Sequence, residues 1–458
     1  MKKKITKTGA LGLLAVSFFF FAASKTTAQE IDEEELFSDE KTVTNIEEVK
    51  DEKINKSLEE ESLTFGGFIN SRNSYMMNRS YVLGDTDSVN KNTLRTFIQS
   101  DYYLDARLRS YYKAFVNFSI NVYPQGIEKR HTFNNNSEAF ALLTGSSSLE
   151  VYETVYSDYE INEAFVDANI QKSVYLRIGK QNLKWGTGYF WNPVDLINID
   201  KKSFTDEFQI RRGAYGLKVH IPFGTRFNIY NFTGINEAKS LDKLSNALKV
   251  DFLLGSTEMA LSVLGIKNKP PVYGYELSSR IFTVDIYGET SLVYKETNKK
   301  IKIINYMPVV EEIENKWALK TVIGFGRSFE LFDLADRLSL NFEFFYNQNG
   351  YRENIFQALK PEDFLMIEPD LIAPNYHGMY YMAFFSTIRQ FFHQDLNFSM
   401  NYMMNISDKT SILSTHLSYL PVYNFSLGLI LQGFLGNKGE YTFSQNGLNT
   451  EISAKIVF

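Results

Sequence analysis

The stretch "YLRIGKQNLKWGTGYFWNPVDLINI", residues 175–199, begins as one kind of structure and ends as another. Val174, Leu176 and Ile178 alternate with Tyr175, Arg177 and Gln181. In an extended backbone successive side chains point to opposite faces, so this strand has one apolar face and one polar face. The alternation then dissolves into Gly186, Gly188, Asn192, Pro193 and Asp195, residue types that set bends. Trp185, Tyr189, Phe190, Trp191 and Phe204 crowd the same segment, too many rings for a loop left in water. Two readings stand. Either the segment folds into a hydrated interior and packs its rings against the wall, or the rings form an interfacial girdle and the loop lies on the surface.

The two-residue period recurs across the chain. In "AFVNFSINV", residues 114–122, Ala114, Val116, Phe118, Ile120 and Val122 alternate with Phe115, Asn117, Ser119 and Asn121. Ala164, Val166, Ala168 and Ile170 alternate with Glu163, Phe165, Asp167 and Asn169, and Leu396, Phe398, Met400 and Tyr402 with Asn397, Ser399 and Asn401. A soluble sandwich shows similar alternation. Connection lengths separate the two cases: turns such as "SYY", "QKS", "PFG", "GS" and "IF" alternate with long excursions over residues 73–93, 123–158, 185–211, 295–315 and 347–376. Plain turns at one rim and long loops at the other are the arrangement of an up-and-down barrel crossing an outer membrane. The expected fold is all-β, a transmembrane antiparallel barrel over residues 63–458 of about 18 strands, with about 16 as the alternative count.

The rest of the chain fits an exported protein. Residues 1–28 join Lys2, Lys3, Lys4 and Lys7 to an apolar run and the small-residue end Thr26-Thr27-Ala28, the make-up of a signal peptide. Residues 29–62 are strongly acidic with few large apolar side chains, which predicts a flexible periplasmic segment or a short amphipathic helix. The chain has no cysteine, so disulfides and thiolate metal sites are excluded. A net charge of −6 argues against a nucleic-acid partner, because neutralising phosphates takes a basic surface. Beyond residue 28 no run reaches the ~18 apolar residues of a spanning helix.

If the apolar faces meet lipid, the polar faces line a lumen, since a Lys or Arg turned toward mid-bilayer costs roughly 2–4 kcal/mol. The expected lining is Asp101, Asp105, Arg107, Glu163, Asp167, Lys218, His220, Glu276 and Arg280, together with Asp285, Glu289, Lys320, Asn341 and Glu343. An inward segment would make a constriction of Arg177, Lys180, Gln181, Lys184, Trp185, Gly186, Asp195, Arg211 and Arg212. His131, His220, His377, His393 and His416 show no metal-ligand spacing, and no G-x-S-x-G elbow occurs, so neither a catalytic centre nor a cofactor is expected.

The run Gly179-Lys180-Gln181-x-x-x-Trp185-Gly186 with Asn192-Pro193-x-Asp195 resembles a stretch of porin-like outer-membrane families, distantly similar to alginate-export and anion-selective porins. The resemblance implies a passive channel for small polar or charged solutes, with this motif beside an inward loop. The final strand "EISAKIVF", ending at Phe458, is similar to the C-terminal signal read by the barrel-assembly machinery. Expected partners are outer-membrane lipids, that machinery and small solutes, with the chain a homotrimer or a monomer. Two other functions are weighed: a surface adhesin or structural barrel using its long loops, and a transporter of hydrophobic molecules.

Overall fold

The computed structural model describes residues 62–82, 92–108, 112–134, 148–183, 185–198, 201–204, 209–235, 244–266, 269–304, 307–358, 374–443 and 446–458. The expected signal peptide, residues 29–61 and Lys184 lie outside the described residues. The strands are β1 Ser62–Asn78, β2 Thr93–Leu108, β3 Tyr112–Asn134, β4 Ser148–Ile170, β5 Val174–Gln181, β6 Ala214–Phe223, β7 Phe227–Gly234, β8 Ser245–Leu254 and β9 Thr257–Ile266. They continue as β10 Val272–Ile281, β11 Val284–Ile304, β12 Met307–Leu331, β13 Leu334–Asn347, β14 Tyr380–Ile388, β15 Leu396–Asn405, β16 Thr410–Val422, β17 Phe425–Leu435 and β18 Asn446–Val457.

These form one 18-stranded sheet in which each strand pairs antiparallel with its sequence neighbours, and β1 pairs with β18 to close the ring. Closure leaves no open edge along the wall, so its amides and carbonyls can pair strand to strand all the way round, the condition a sheet must meet in hydrocarbon. The seam is complete at its lower end: Gly67 N–H donates to the Phe458 carbonyl and Phe458 N–H to the Gly67 carbonyl, each at 2.9 Å. The Phe458 ring lies beside Phe65 and Tyr102, with centroids 6.2 and 5.9 Å away, in the aromatic girdle of the short-turn rim.

Register fixes which side chains share a face. The row Val166–Ile178–Leu217 is outward and well exposed, and the row Asp167–Arg177–Lys218 one residue on is inward. Outward positions elsewhere are also large and apolar, among them Leu104, Leu261, Ile323, Phe342, Leu429 and Ile452. The β3–β4 register slips twice, between Val122 and Ile127 and at a bulge in β4 where Asn117 pairs with Glu163 but Phe118 with Ile161. The extra residue, Asn162, is buried, and its amide donates to Ser119 Oγ at 2.6 Å and Asn117 Oδ1 at 2.7 Å.

Two of the expected long loops are different in kind. Residues 123–134 and 148–158 belong to a continuing β3–β4 hairpin, and residues 295–304 and 307–315 to a continuing β11–β12 hairpin. In these extensions, such as "NKKIKII" against "VVEEIE", cross-strand pairs such as Lys299 with Glu312 and Lys300 with Glu311 replace an apolar face, so a lipid-based pattern ends before the strand does.

The two faces make a direct test. Leu429→Arg turns a charge toward lipid and is expected to lower unfolding free energy by about 2–4 kcal/mol, whereas Ser418→Arg, inward on the neighbouring strand, changes it by less than about 1 kcal/mol. Denaturant titration in lipid vesicles reads both. Equal losses would reverse the assignment of faces.

Candidate functional site: the inward segment and the lumen

Between β5 and β6 the chain leaves the wall and folds inside the barrel. The segment's apolar side chains are buried: Leu183, Trp185, Phe190, Trp191, Val194, Ile197 and Phe204. All but Val194 divide between two groups of wall residues. Phe190, Trp191 and Phe204 pack with Val322, Phe345, Tyr381, Ala383, Phe385, Met403 and Ile412, the inward positions of β12 to β16. Leu183, Trp185 and Ile197 pack with Ala214, Tyr230, Phe232 and Ala247 of β6 to β8. The Trp191 ring stacks on Phe345 at 5.4 Å and meets Phe190 edge-on at 5.1 Å, and its indole N–H donates to the Asn375 carbonyl at 2.9 Å. Of the two readings the rings allow, the inward fold is the observed one.

An irregular backbone inside a barrel brings amides that no strand pairs, and an unmet buried amide costs about 1–3 kcal/mol. Three wall carboxylates meet them. Glu289 accepts from the N–H of Thr187 at 2.5 Å, Val194 at 3.3 Å and Gly188 at 3.4 Å. Glu343 accepts from the N–H of Tyr189, of Phe190 at 3.0 Å and of Trp191 at 3.3 Å. Glu276 accepts from Gly186 N–H at 3.2 Å and pairs with the Lys249 ammonium at 3.1 Å. Gly186 is required here: its φ is +96°, and a Cβ would stand 2.4 Å from a Glu289 oxygen.

The ends of the segment are pinned too. Asn182 N–H donates to Glu163 at 2.5 Å and Gly213 N–H to the Asn162 carbonyl at 2.9 Å, so the β4 bulge receives both ends. Asp195 accepts from the Asn198 amide at 2.7 Å and faces Arg211 at 3.4 Å.

The expected constriction residues therefore separate. Trp185, Gly186 and Asp195 are anchors of the segment, and Gln181, fully buried, donates its amide to the Gly216 carbonyl at 3.2 Å. Arg177 lines the lumen, bridged to Asp167 at 2.7 and 3.0 Å and lying over the Phe165 ring at 3.9 Å. Arg212 pairs with Glu160 at 3.6 Å, both about two-fifths exposed. Lys180 corrects the expectation: in register with Ala164 and Tyr215 it shares the outward face, where its ammonium lies over the Tyr215 ring and donates to the Ile161 carbonyl. The reason is parity, because Lys180 is two residues from lipid-facing Ile178. Among the expected lining residues, Glu276, Glu289 and Glu343 hold the segment and are not open to a passing solute.

With β6 to β16 largely covered, the polar wall left uncovered runs through β17, β18 and β1 to β5. Asp101 accepts from Asn117 at 2.6 Å and Ser119 at 2.9 Å, and Asp105 pairs with Lys113 at 3.1 Å and Arg107 at 3.6 Å, while on the other arc, near the short-turn rim, Arg280 binds Asp285 at 2.5 Å. His220 is sandwiched between Tyr230 and Tyr175 and meets Asn228 at 3.0 Å, alongside Lys218, whose ammonium lies over Tyr230 at 5.5 Å. On β1 to β3 and β18 a cavity of about 320 Å³ is lined by Arg72, Ser74, Arg95, Phe97, Tyr123 and Glu451, with Arg72 and Glu451 in a two-point ion pair at 2.7 and 3.2 Å. Asn70, Gln99, Asn121 and Asn449 each turn inward with a buried side-chain atom that no described residue bonds.

Sequence reasoning missed the residues that tie the outer connections together. Glu440, between β17 and β18, accepts from Asn375 N–H at 2.5 Å, from the Asn405 amide at 2.9 Å and from the Tyr381 hydroxyl at 3.0 Å, with His377 Nδ1 at 3.4 Å. Asp408 in turn accepts from Glu440 N–H at 2.7 Å. His377, Asp408 and Glu440 are the one His-carboxylate group among the described residues with ligating atoms within 4.8 Å of each other. Their carboxylates are already occupied by chain donors, so the group reads as a junction of loops. No local motif marks it, since its members lie in three separate connections.

No family model matches the chain, and no curated protein matches it. Among solved structures it is similar to Acinetobacter baumannii OccAB1, at 9% identity over 86% of this chain and 96% of that one with a TM-score of 0.49. It is similar also to Pseudomonas aeruginosa OpdK, solved with vanillate, at 8% identity over 86% and 98% with a TM-score of 0.49. A mutant Rh. blastica porin gives 8% identity over 87% and 100% and a TM-score of 0.39. Likenesses this weak carry no residue role and no ligand across to this chain.

Replacing Glu289 or Glu343 by Ala strips acceptors from three amides each, and is expected to weaken docking of the segment by about 1–3 kcal/mol. Amide exchange of residues 186–194 should quicken accordingly; unchanged exchange would show that the carboxylates do not hold it.

The loop junction responds to pH. Burial raises the Glu440 carboxyl to about 7, outweighing the Asn375, Asn405 and Tyr381 donors that lower it, and burial raises Asp408 in the same direction. A carboxyl whose folded value exceeds its unfolded one contributes stability that is present below the unfolded value and lost as pH rises through the folded value. Residues 375–378 and 437–443 should thus exchange amide hydrogens faster, after correction for intrinsic rates, at pH 8 than at pH 5. Glu440→Gln should flatten that difference, and a variant that keeps it would assign the effect elsewhere.

Proposed function

We propose that the protein is a channel of the bacterial outer membrane through which small polar or charged solutes diffuse passively. The observation that carries this reading is the division of the lumen: one arc of wall is covered by the pinned inward segment, and the opposite arc is left polar. A barrel of this strand number is too wide for wall side chains alone to fill, so an inward segment sets the free cross-section. The segment is held at Glu276, Glu289 and Glu343, which favours a fixed aperture over a gate that opens and shuts.

Selectivity follows from the same wall. Asp167 with Arg177, Asp105 with Lys113, and Glu451 with Arg72 present opposite charges side by side. Adjacent opposite charges cancel beyond a Debye length, about 8–10 Å in physiological salt. The field in the open arc is therefore local, and weak selection by charge is expected in place of strict anion selectivity. The likeness of the Gly179 to Asp195 motif to porin-like families agrees with this reading. The β3–β4 and β11–β12 hairpins, with strands of 21 to 25 residues, favour a second role for the outer face in contacting surface partners.

The full chain in planar bilayers should give stable stepwise conductance, and removal of residues 186–206 should raise the step about two-fold or more as the cross-section opens. A barrel that passes no current, or one whose current ignores the deletion, would reject the channel or the constriction respectively.

A further inference from the structure

A wall that faces water has no use for bare aromatic rings, yet the uncovered arc carries them along its depth. Parity with Asp101 and Ser119 turns Phe97 and Tyr103 of β2 and Phe115 and Tyr123 of β3 into the lumen, and parity with Arg72 does the same for Phe68 of β1. Phe165 of β4 stands across from Phe115. None of these rings belongs to the packed groups that seat the inward segment. All but Phe165 are half-buried, so each keeps part of its surface toward the lumen.

The rings are laid out as stations. Phe97 and Tyr123 stack at 5.3 Å with 24° between their planes, beside the cavity of about 320 Å³ that they help to line. Nearer the short-turn rim, Tyr103, Phe115 and Phe165 form a row at 6.3 and 5.2 Å. Tyr103 lies against Gly66, where a Cβ would stand 2.5 Å from its hydroxyl, so only glycine leaves room for the ring on the wall. Phe68 comes between the two stations, with the Lys455 ammonium over its ring at 4.8 Å. Counted along β1 and β2 at a rise of ~3.4 Å and a tilt near 40°, the rings recur about every 5 to 10 Å over about 20 Å of depth.

Charges of both signs flank the rings. Arg72 lies over Phe97 and pairs with Glu451, Lys113 lies over Phe115 and pairs with Asp105, and Arg177 lies over Phe165 and pairs with Asp167. A small ion of either sign is repelled by one member of every pair and does not need rings spaced along its way. A hydrocarbon solute gains from the rings but not from the ion pairs between them. A sugar uses both: the C–H groups of its ring face rest on the negative face of an aromatic ring, while hydroxyls at its edge donate to carboxylates and accept from guanidinium and ammonium groups.

We propose that the lumen face of β1 to β4 is a path for neutral oligosaccharides, which rest on its rings and pass their hydroxyls from one ion pair to the next. The inference rests on the channel reading and names the class of solute for which the open arc is built.

Full-length protein in planar bilayers is exposed to maltotriose and to cellotriose, with poly(ethylene glycol) of the same hydrodynamic size reporting plain obstruction and benzoate serving as an aromatic anion. At least one trisaccharide should reduce the ion current saturably, at concentrations where the polymer has little effect. Phe97→Leu with Tyr123→Leu, and separately Phe115→Leu, should raise the half-blocking concentration roughly ten-fold or more, because leucine keeps the apolar bulk and removes the ring face. Phe392→Leu, at an exposed turn, should leave it unchanged. Unaltered heat stability and sugar-free current show that the variants fold. Calorimetry of the same sugars in detergent separates the two readings: binding that the lumen variants abolish, in a barrel that passes no current, would reject the channel and keep the site. Block no stronger than the polymer's with no heat of binding, block by benzoate at equal or lower concentration, or sugar affinity indifferent to the lumen rings would overturn the proposal.

Discussion

Lipid does not hydrogen-bond to a peptide group, and most of this structure follows from that. Eighteen strands joined each to the next still leave two bare edges, and it is the β1–β18 ladder that removes them. Once the ring is closed, outward side chains have only to be apolar, and the inside has only to be wettable. The Gly67 and Phe458 amides exchange bonds at the seam for the same reason that Leu429 and Ile452 can stand in hydrocarbon: the backbone beneath them is already satisfied.

The inward segment violates the condition that makes the wall possible, and the way it is accommodated gives the lumen its asymmetry. Its amides cannot join a ladder, so Glu289 and Glu343 serve as acceptors for short runs of consecutive N–H groups, much as a helix N-terminus or a backbone nest receives an anion. Its rings need an apolar seat, and the inward faces of β12 to β16 supply one in Val322, Phe345, Phe385, Met403 and Ile412. A barrel lined by polar residues all round could not hold this segment, and one lined by apolar residues all round could not conduct ions. Dividing the two kinds of lining between two arcs allows both.

Outward polarity shows the same logic. Lys180 stands on the lipid side near the outer rim and is accommodated because its ammonium reaches the Ile161 carbonyl and the Tyr215 ring. Asn231 and Asn246 lie deeper and bond to each other and to Thr233.

The barrel was legible in the sequence because lipid on one side and water on the other impose a two-residue period that survives without any knowledge of neighbours, as in residues 114–122 and 163–170. Connection lengths gave the rims, and the rings of residues 185–204 raised the inward fold as one of two readings. The double-sided apolar runs "FEFFYN" and "YYMAFFST" were a legible trace of the covered arc, since inward Phe345 and Phe385 have no place in a wet wall. What tertiary structure alone decided is which partner each group meets. Glu343 reads as lumen lining until the amides of Tyr189 to Trp191 arrive from more than 150 residues away, and Glu440 reads as a loop residue until Asn375 and Tyr381 close on it. Periodicity is set by the solvent on each face and so is written locally, whereas these pairings are set by distances that exist only once the ring has closed.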